Sequence, residues 1–195
     1  AIKKEKFPLY TSHHQEKSLQ LERISLEDAL KHKHIKSKAY AWCLHLAYKQ
    51  FLSMGIPAER IRIRQHLENE RAFYAEDAWD IEIKTDRFGW FEICGVHDRS
   101  DYDLRRHASF SGAGMQVGKE TPHILEIAFG LERPTYCLLE RAFREDKIRS
   151  WLHFPIGIAP VDIAVFPLVK KDGLPEKAKE IFALLEKDFV AIYDE

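Results

Sequence analysis

The chain has 195 residues, which at roughly 150 per domain leaves room for one large domain, or one domain and part of a second. Hydrophobic residues make up 45% and charged residues 31%, proportions of a folded, water-soluble protein that fit disordered, collagen-like and membrane-spanning classes poorly. Lys and Arg number 30 against 31 Asp and Glu, a formal net charge of -1, so a nucleic acid would be met by a local basic patch and not by a global positive field.

Residues 25–33 predict a short helix, with Ser25 as N-cap and Asp28 three positions on in the manner of a capping box. From 37 to 54, Ala39, Trp42, Cys43, Leu46, Ala47, Phe51 and Met54 recur at three- and four-residue steps, the apolar stripe of an amphipathic helix. Gly55 ends it and Pro57 prevents its resumption. Residues 67–77 predict a third helix with a thinner apolar face. The period then changes: Trp79, Ile81 and Ile83 alternate with charged residues, and Trp90 to Cys94 follow across a turn at 85–89, which predicts a β-hairpin.

Residues 109–121, rich in Gly, Ser and polar types, predict a loop. A short strand is expected over 123–128, and a helix over 131–144 with Pro134 in its first turn, where a missing amide hydrogen costs little. Strand 161–169, helix 174–187 and strand 189–193 predict a βαβ unit, too small to cover both faces of its own sheet and so the start of a second domain.

Cys43, Cys94 and Cys137 form no CxxC pair and are odd in number, which points to a reducing compartment, the cytoplasm. The most apolar window, 156–169, is broken by Pro160, Asp162 and Pro167, short of the ~20 apolar residues of a membrane helix. No signal-peptide pattern is seen, and the sequence opens at Ala1 on a Lys-rich stretch, as part of something longer would. The histidine groups His13–His14 and His32 with His34 read as solvated surface, since no Cys lies at ligand spacing. The GxxxxGK[ST] and GxGxxG phosphate loops are missing. Cys94 near His97 suggests a thiol nucleophile, but a strand cysteine among apolar neighbours is more often buried and inert.

Two segments carry denser chemistry. From Glu92 to Leu104 a strand runs into closely packed acids, hydroxyls and Arg99, suited either to a polar ligand with both signs of charge or to a solvated turn. Glu126 stands on an otherwise apolar strand and needs a partner, as an ion-pair member or a ligand-binding group; Arg133 stands at a helix start.

With the segments Arg-Ile-Arg-Gln-His-Leu (62–67), Phe-Tyr-Ala-Glu-Asp-Ala-Trp-Asp-Ile-Glu (73–82), Phe-Gly-Trp-Phe-Glu (88–92), Gly-Val-His-Asp-Arg-Ser-Asp-Tyr-Asp-Leu (95–104), Pro-His-Ile-Leu-Glu (122–126) through Arg133, and Ala-Pro-Val-Asp-Ile-Ala-Val-Phe-Pro-Leu (159–168), the chain resembles glycyl-tRNA synthetase of the archaeal and eukaryotic type, a class II aminoacyl-tRNA synthetase. The resemblance runs in order from about residue 20 to the end. It implies an α+β fold: a class II antiparallel sheet flanked by helices over 1–157, followed by the start of an α/β anticodon-binding domain over 158–195.

The resemblance further implies ATP-dependent attachment of glycine to its cognate tRNA through glycyl-adenylate, with Mg²⁺ and, in the full-length protein, a homodimer. Gly130 to Arg133 would be class II motif 3, with Gly130, Leu131, Glu132 and Arg133 against ATP; the permanently charged, planar Arg133 fork suits phosphate. Glu92 and Ile93 would line the ATP site, Glu92 holding Mg²⁺, a hard cation that prefers oxygen ligands. Glu126 would receive the glycine ammonium, Arg99 would favour its carboxylate, and Ala128 and Gly130 would complete the glycine pocket.

Motifs 1 and 2 belong upstream of Ala1 in the family's order, so this stretch is expected to be incomplete for activity by itself. Residues 109–121 are shorter than the family's insertion, Ala128 stands where the family has Ser, Ile127 where it has Pro, and Phe73 where it has His. These departures keep an alternative: a non-catalytic, synthetase-like protein that binds nucleic acid or serves as a polymerase accessory module.

Overall fold

The computed structural model describes residues 5–194; the Lys-rich opening, 1–4, and Glu195 lie outside the described residues. The chain divides into two compact units between Leu152 and His153, whereas the sequence suggested a boundary at 157/158.

The first unit is α+β. Strands β1 (Lys6–Tyr10) and β2 (Glu22–Ser25) flank the short helix α1 (Ser12–Glu16), and α2 (Leu26–Lys31) and α3 (Lys38–Ser53) follow. Then come β3 (Ile61–Gln65), β4 (Asp77–Thr85), β5 (Gly89–Asp98), helix α4 (Tyr102–Ser111), β6 (Leu125–Ala128), helix α5 (Glu132–Ala142) and a small hairpin of β7 (Phe143–Glu145) and β8 (Ser150–Leu152). The main sheet has six strands in the order β2-β1-β3-β4-β5-β6, antiparallel except for the β1–β3 pair.

Strand alternation decides what each face does. Ile61, Ile63, Trp79, Ile81, Ile83, Cys94 and Val96 enter one core with Phe7 and Leu9. Fully burying a side chain of this kind contributes roughly 1.5–3 kcal/mol. The residues between them form a polar face: Arg62 stands opposite Glu82, Arg64 opposite Asp80, Asp80 opposite Gly95, and His97 opposite Glu126.

α2 starts on the expected Ser25 cap, whose hydroxyl accepts the Asp28 amide. α3 matches the expected length, capped by Ser37, and the expected Ala47 and Phe51 are buried, but the rest of the buried side is shifted. Tyr40, Ala41, Leu44, Ala47, Tyr48 and Phe51 are buried, while the expected Trp42 and Leu46 are 47% and 44% exposed. The Tyr40 hydroxyl donates to the carbonyl of Val96, a buried tie that turns the tyrosine side of the helix inward.

The predicted helix at 67–77 is absent: these residues form turns. Glu70 accepts the Leu67 amide at 3.0 Å and Arg64 Nη2 at 2.8 and 2.7 Å, binding the turn back to β3. The predicted 109–121 loop begins inside α4, which ends at Gly112 with φ 71°, a left-handed value that favours glycine. The hairpin expected at 79–94 is present as β4–β5, and α5 occupies most of 131–144. Neither β1, β2 nor the β7–β8 hairpin was predicted.

The second unit contains β9 (Ile163–Val165), α6 (Leu174–Leu185) and β10 (Ala191–Tyr193). β9 and β10 pair in parallel, giving the expected βαβ unit. β9 is shorter than the predicted 161–169, as Pro167 cannot donate to a ladder. Among the described residues no helix is long and apolar enough to cross a membrane.

Candidate active site

A β-bulge shapes the polar face. Ile81 pairs with Cys94 and Glu82 with Glu92, so Ile93 is the extra residue on β5. Bulges re-aim neighbouring side chains. Here the extra residue puts Glu92 opposite Glu82, on the same face as His97 and Glu126, while Ile93 is 2% exposed and inside the core. Ile93, expected against ATP, therefore offers a ligand only main-chain atoms.

β6 delivers Glu126 beside a guanidinium and an imidazole. Its Oε2 lies 2.8 Å from Arg99 Nη1 and 3.5 Å from His97 Nδ1. Arg99, in the turn after β5, also donates to Asp103 at 2.6 and 3.2 Å, and its guanidinium lies 4.3 Å from the centre of the Tyr74 ring. The hydrogen bond from Arg99 holds the Glu126 carboxyl below its usual range, with His97 adding to the effect. Asp103 is held down in the same way by Arg99, and the two acids push Arg99 up. Glu126 is thus an ion-pair member, as its position on an apolar strand required. Ala128 stands two residues on, opposite Gly95, on the same face.

A cavity of about 640 Å³ opens at this point, lined by Arg99, Asp103, His107 and residues 124–127. Arg133 does not line it. β6 pairs with β5 only over Gly95–Asp98, so the Glu92 end of β5 is a free edge, and Arg133 at the start of α5 reaches it. Its Nη1 donates to the Glu92 carbonyl at 3.0 Å and lies 3.3 Å from Glu92 Oε2, with the guanidinium 5.2 Å from the Phe91 ring centre. Gly130 and Leu131 form the exposed bend leading into α5, and the exposed Glu132 is its first residue. Glu126 and Arg133 therefore touch one strand from the same sheet, through His97 and Glu92.

Cys94 is excluded as a nucleophile: it is 1% exposed and burial pushes its thiol up to about 12, so the reactive thiolate is not available near neutral pH. Sequence reasoning missed Asp103 and Tyr74, which hold Arg99. The Arg99–Asp103 spacing of four at a helix start was the available signal. It also missed Asp80 and His66, joined at 2.8 Å through Asp80 Oδ2 and His66 Nε2.

No family model matches the chain. Individual curated proteins do. The glycine–tRNA ligase of Thermococcus kodakarensis is 31% identical over 276 aligned positions, covering 100% of this chain and 48% of that protein. The chain is related to the archaeal glycine–tRNA ligases. That of Pyrococcus horikoshii is 30% identical, with 100% of this chain and 49% of the ligase covered. That of Methanocaldococcus jannaschii is 30% identical, with 89% and 45% covered. The chain spans about half the length of the curated glycine–tRNA ligases it matches. The T. kodakarensis alignment runs over 276 positions against 195 residues here, so that ligase carries internal sequence for which this chain has no counterpart.

Proposed function

We propose that the chain supplies part of a glycine–tRNA ligase: the glycine pocket and one wall of the ATP site of a class II catalytic domain, followed by the start of an anticodon-binding domain. The observation that carries this reading is the Glu126–Arg99 pair beside an open cavity. Glycine is a zwitterion, so its ammonium can take Glu126 while its carboxylate faces Arg99, each end replacing one half of the existing pair. Arg99 keeps Asp103 throughout and does not lose its orientation. The depressed Glu126 carboxyl stays anionic near neutral pH, as an ammonium partner must.

In the first step the glycine carboxylate attacks the α-phosphate of ATP, forming the acyl-phosphate bond of glycyl-adenylate and expelling pyrophosphate. In the second, a hydroxyl of the terminal adenosine of the tRNA attacks the glycyl carbonyl, AMP leaves, and the ester forms. Such transfers depend on positioning and charge stabilisation more than on side-chain acid–base chemistry. Arg133, half-exposed beside Glu92, is placed to lie along the nucleotide and offset phosphate charge. Glu92 is a half-exposed carboxylate, which fits Mg²⁺, an ion bound through one or two carboxylates together with phosphate and water. Bound Mg²⁺ neutralises developing phosphate charge. Glycine is the smallest amino acid, so on this reading it is selected by steric exclusion of any Cβ in the assembled site, without a separate editing site.

On this reading the full-length protein works in the cytoplasm as a dimer with tRNA for glycine as its partner. The test is glycine-dependent ATP–pyrophosphate exchange by the natural full-length protein that contains this chain. Exchange that depends on glycine supports the proposal; no exchange at saturating glycine overturns it.

A further inference from the structure

On the polar face, three adjacent strands bring together His66, Asp80 and His97, each offering one donor atom, with all three donors within 4.8 Å of one another. His66 follows β3 and is fixed by its amide, which donates to the Ala78 carbonyl at 2.9 Å. Asp80 is in the middle of β4 and is 5% exposed. His97 is on β5, two residues beyond Gly95, and Gly95 is the residue opposite Asp80.

Gly95 keeps the space between these groups open. A Cβ there would stand 3.0 Å from His97 Cε1, 3.2 Å from His97 Nε2 and 3.9 Å from Asp80 Oδ1. Any side chain at 95 would intrude between the imidazole and the carboxylate. On its other side His97 Nδ1 meets Glu126 at 3.5 Å. A carboxylate behind an imidazole fixes the ring's orientation, the arrangement common behind metal-bound histidines. The guanidinium of Arg64 is 3.9 Å from Asp80 but its Nη2 is committed to both oxygens of Glu70. An ion pair between His66 and Asp80 alone accounts for neither the convergence of His97 nor the glycine between them.

We propose that His66, Asp80 and His97 form a binding site for a first-row transition-metal dication such as Zn²⁺ or Co²⁺. Two imidazoles and one carboxylate suit these ions, whereas Mg²⁺ prefers an all-oxygen octahedron. Three protein ligands leave a coordination position for water or an added ligand. The site is separate from Glu92 and does not depend on the glycine–tRNA ligase reading.

The test uses the untagged natural full-length protein that contains this chain, titrated with Co²⁺ in excess Mg²⁺ and followed by its visible ligand-field absorption, with Zn²⁺ stoichiometry from equilibrium dialysis. The proposal expects one saturable equivalent, displaced by Zn²⁺ and not by Mg²⁺. Asp80→Asn and His97→Ala should each weaken binding at least tenfold, and His97→Gln, which keeps a polar group beside Glu126, should do the same in a chain whose circular dichroism is unchanged. Replacing His13 and His14 by Ala should change nothing. Absence of saturable Co²⁺ binding, binding that survives both His97 substitutions, or binding lost with His13 and His14 would overturn the proposal.

Discussion

Arg99 and Glu126 meet at 2.8 Å, joining the turn after β5 to the strand beside it. Arg99 is shared with Asp103 and lies over Tyr74, so its three neighbours hold the guanidinium in one plane and Glu126 reads that plane. A lysine has the charge but neither the fork nor the flat face. Arg99→Lys should raise the KM for glycine ten- to a hundredfold, about 1.5–3 kcal/mol for the hydrogen bonds to a charged group, with circular dichroism unchanged. An unaltered KM would show that Arg99 plays no part in holding glycine.

Arg133 makes its contacts at an exposed edge and is half-exposed, so exposed pairing of this kind contributes ~1 kcal/mol or less to stability. Arg133→Ala should therefore leave the thermal midpoint nearly unmoved while lowering ATP–pyrophosphate exchange by about a hundredfold or more, the scale of losing one preorganised charge-stabilising contact. Exchange at the original rate would remove Arg133 from the ATP site.

Ala128 shares the face and strand of Glu126, opposite Gly95. Ala128→Ser adds a hydroxyl two residues from the ammonium partner without adding bulk, and a hydrogen bond to a charged ligand is worth roughly 1.5–3 kcal/mol. The KM for glycine should fall about tenfold. Steady-state exchange kinetics with no change in KM would place the glycine elsewhere.

Asp77 is 2% exposed, and burial pushes its carboxyl up despite Lys36 and hydrogen bonds from the Trp79 indole and the Ala78 amide. A carboxyl whose folded value exceeds its unfolded value binds its proton more tightly in the native state. Its contribution to stability is then greatest below the unfolded value of about 3.9 and declines as pH rises toward the raised folded value. Asp77→Asn keeps an acceptor and abolishes the ionisation, so its thermal midpoint, measured against pH, should lack this decline. Parallel curves for the two proteins would refute the assignment.

What was legible in the sequence was local. Ser25 marked a helix start because a hydroxyl before a helical run has few better uses than capping, and the alternation of Trp79, Ile81 and Ile83 pointed to both the strand and its buried face. The buried side of α3 was legible only in part, at Ala47 and Phe51, because that helix carries large apolar groups around much of its circumference, and the choice between the Trp42 and Tyr40 sides is made by a partner on β5, Val96, 56 residues away. The turn at 67–77 followed from Glu70 binding Arg64 on another element, which helix propensity does not register. Glu126 stood out as an acid among apolar residues. Its convergence with His97 and the bulge at Ile93 depend on strand register, which the sequence does not display.

The claim on which the account rests is that Glu126 takes an amine while Arg133 lies along the nucleotide of one bound molecule. The most direct measurement is a crystal structure of the full-length protein with a non-hydrolysable glycyl-adenylate analogue. The account predicts the glycyl ammonium ~2.8–3.0 Å from the Glu126 carboxylate and the Arg133 guanidinium against the adenosine–phosphate portion of the same ligand. An analogue whose ammonium points away from Glu126, or which leaves Arg133 on Glu92 and out of contact, would contradict it.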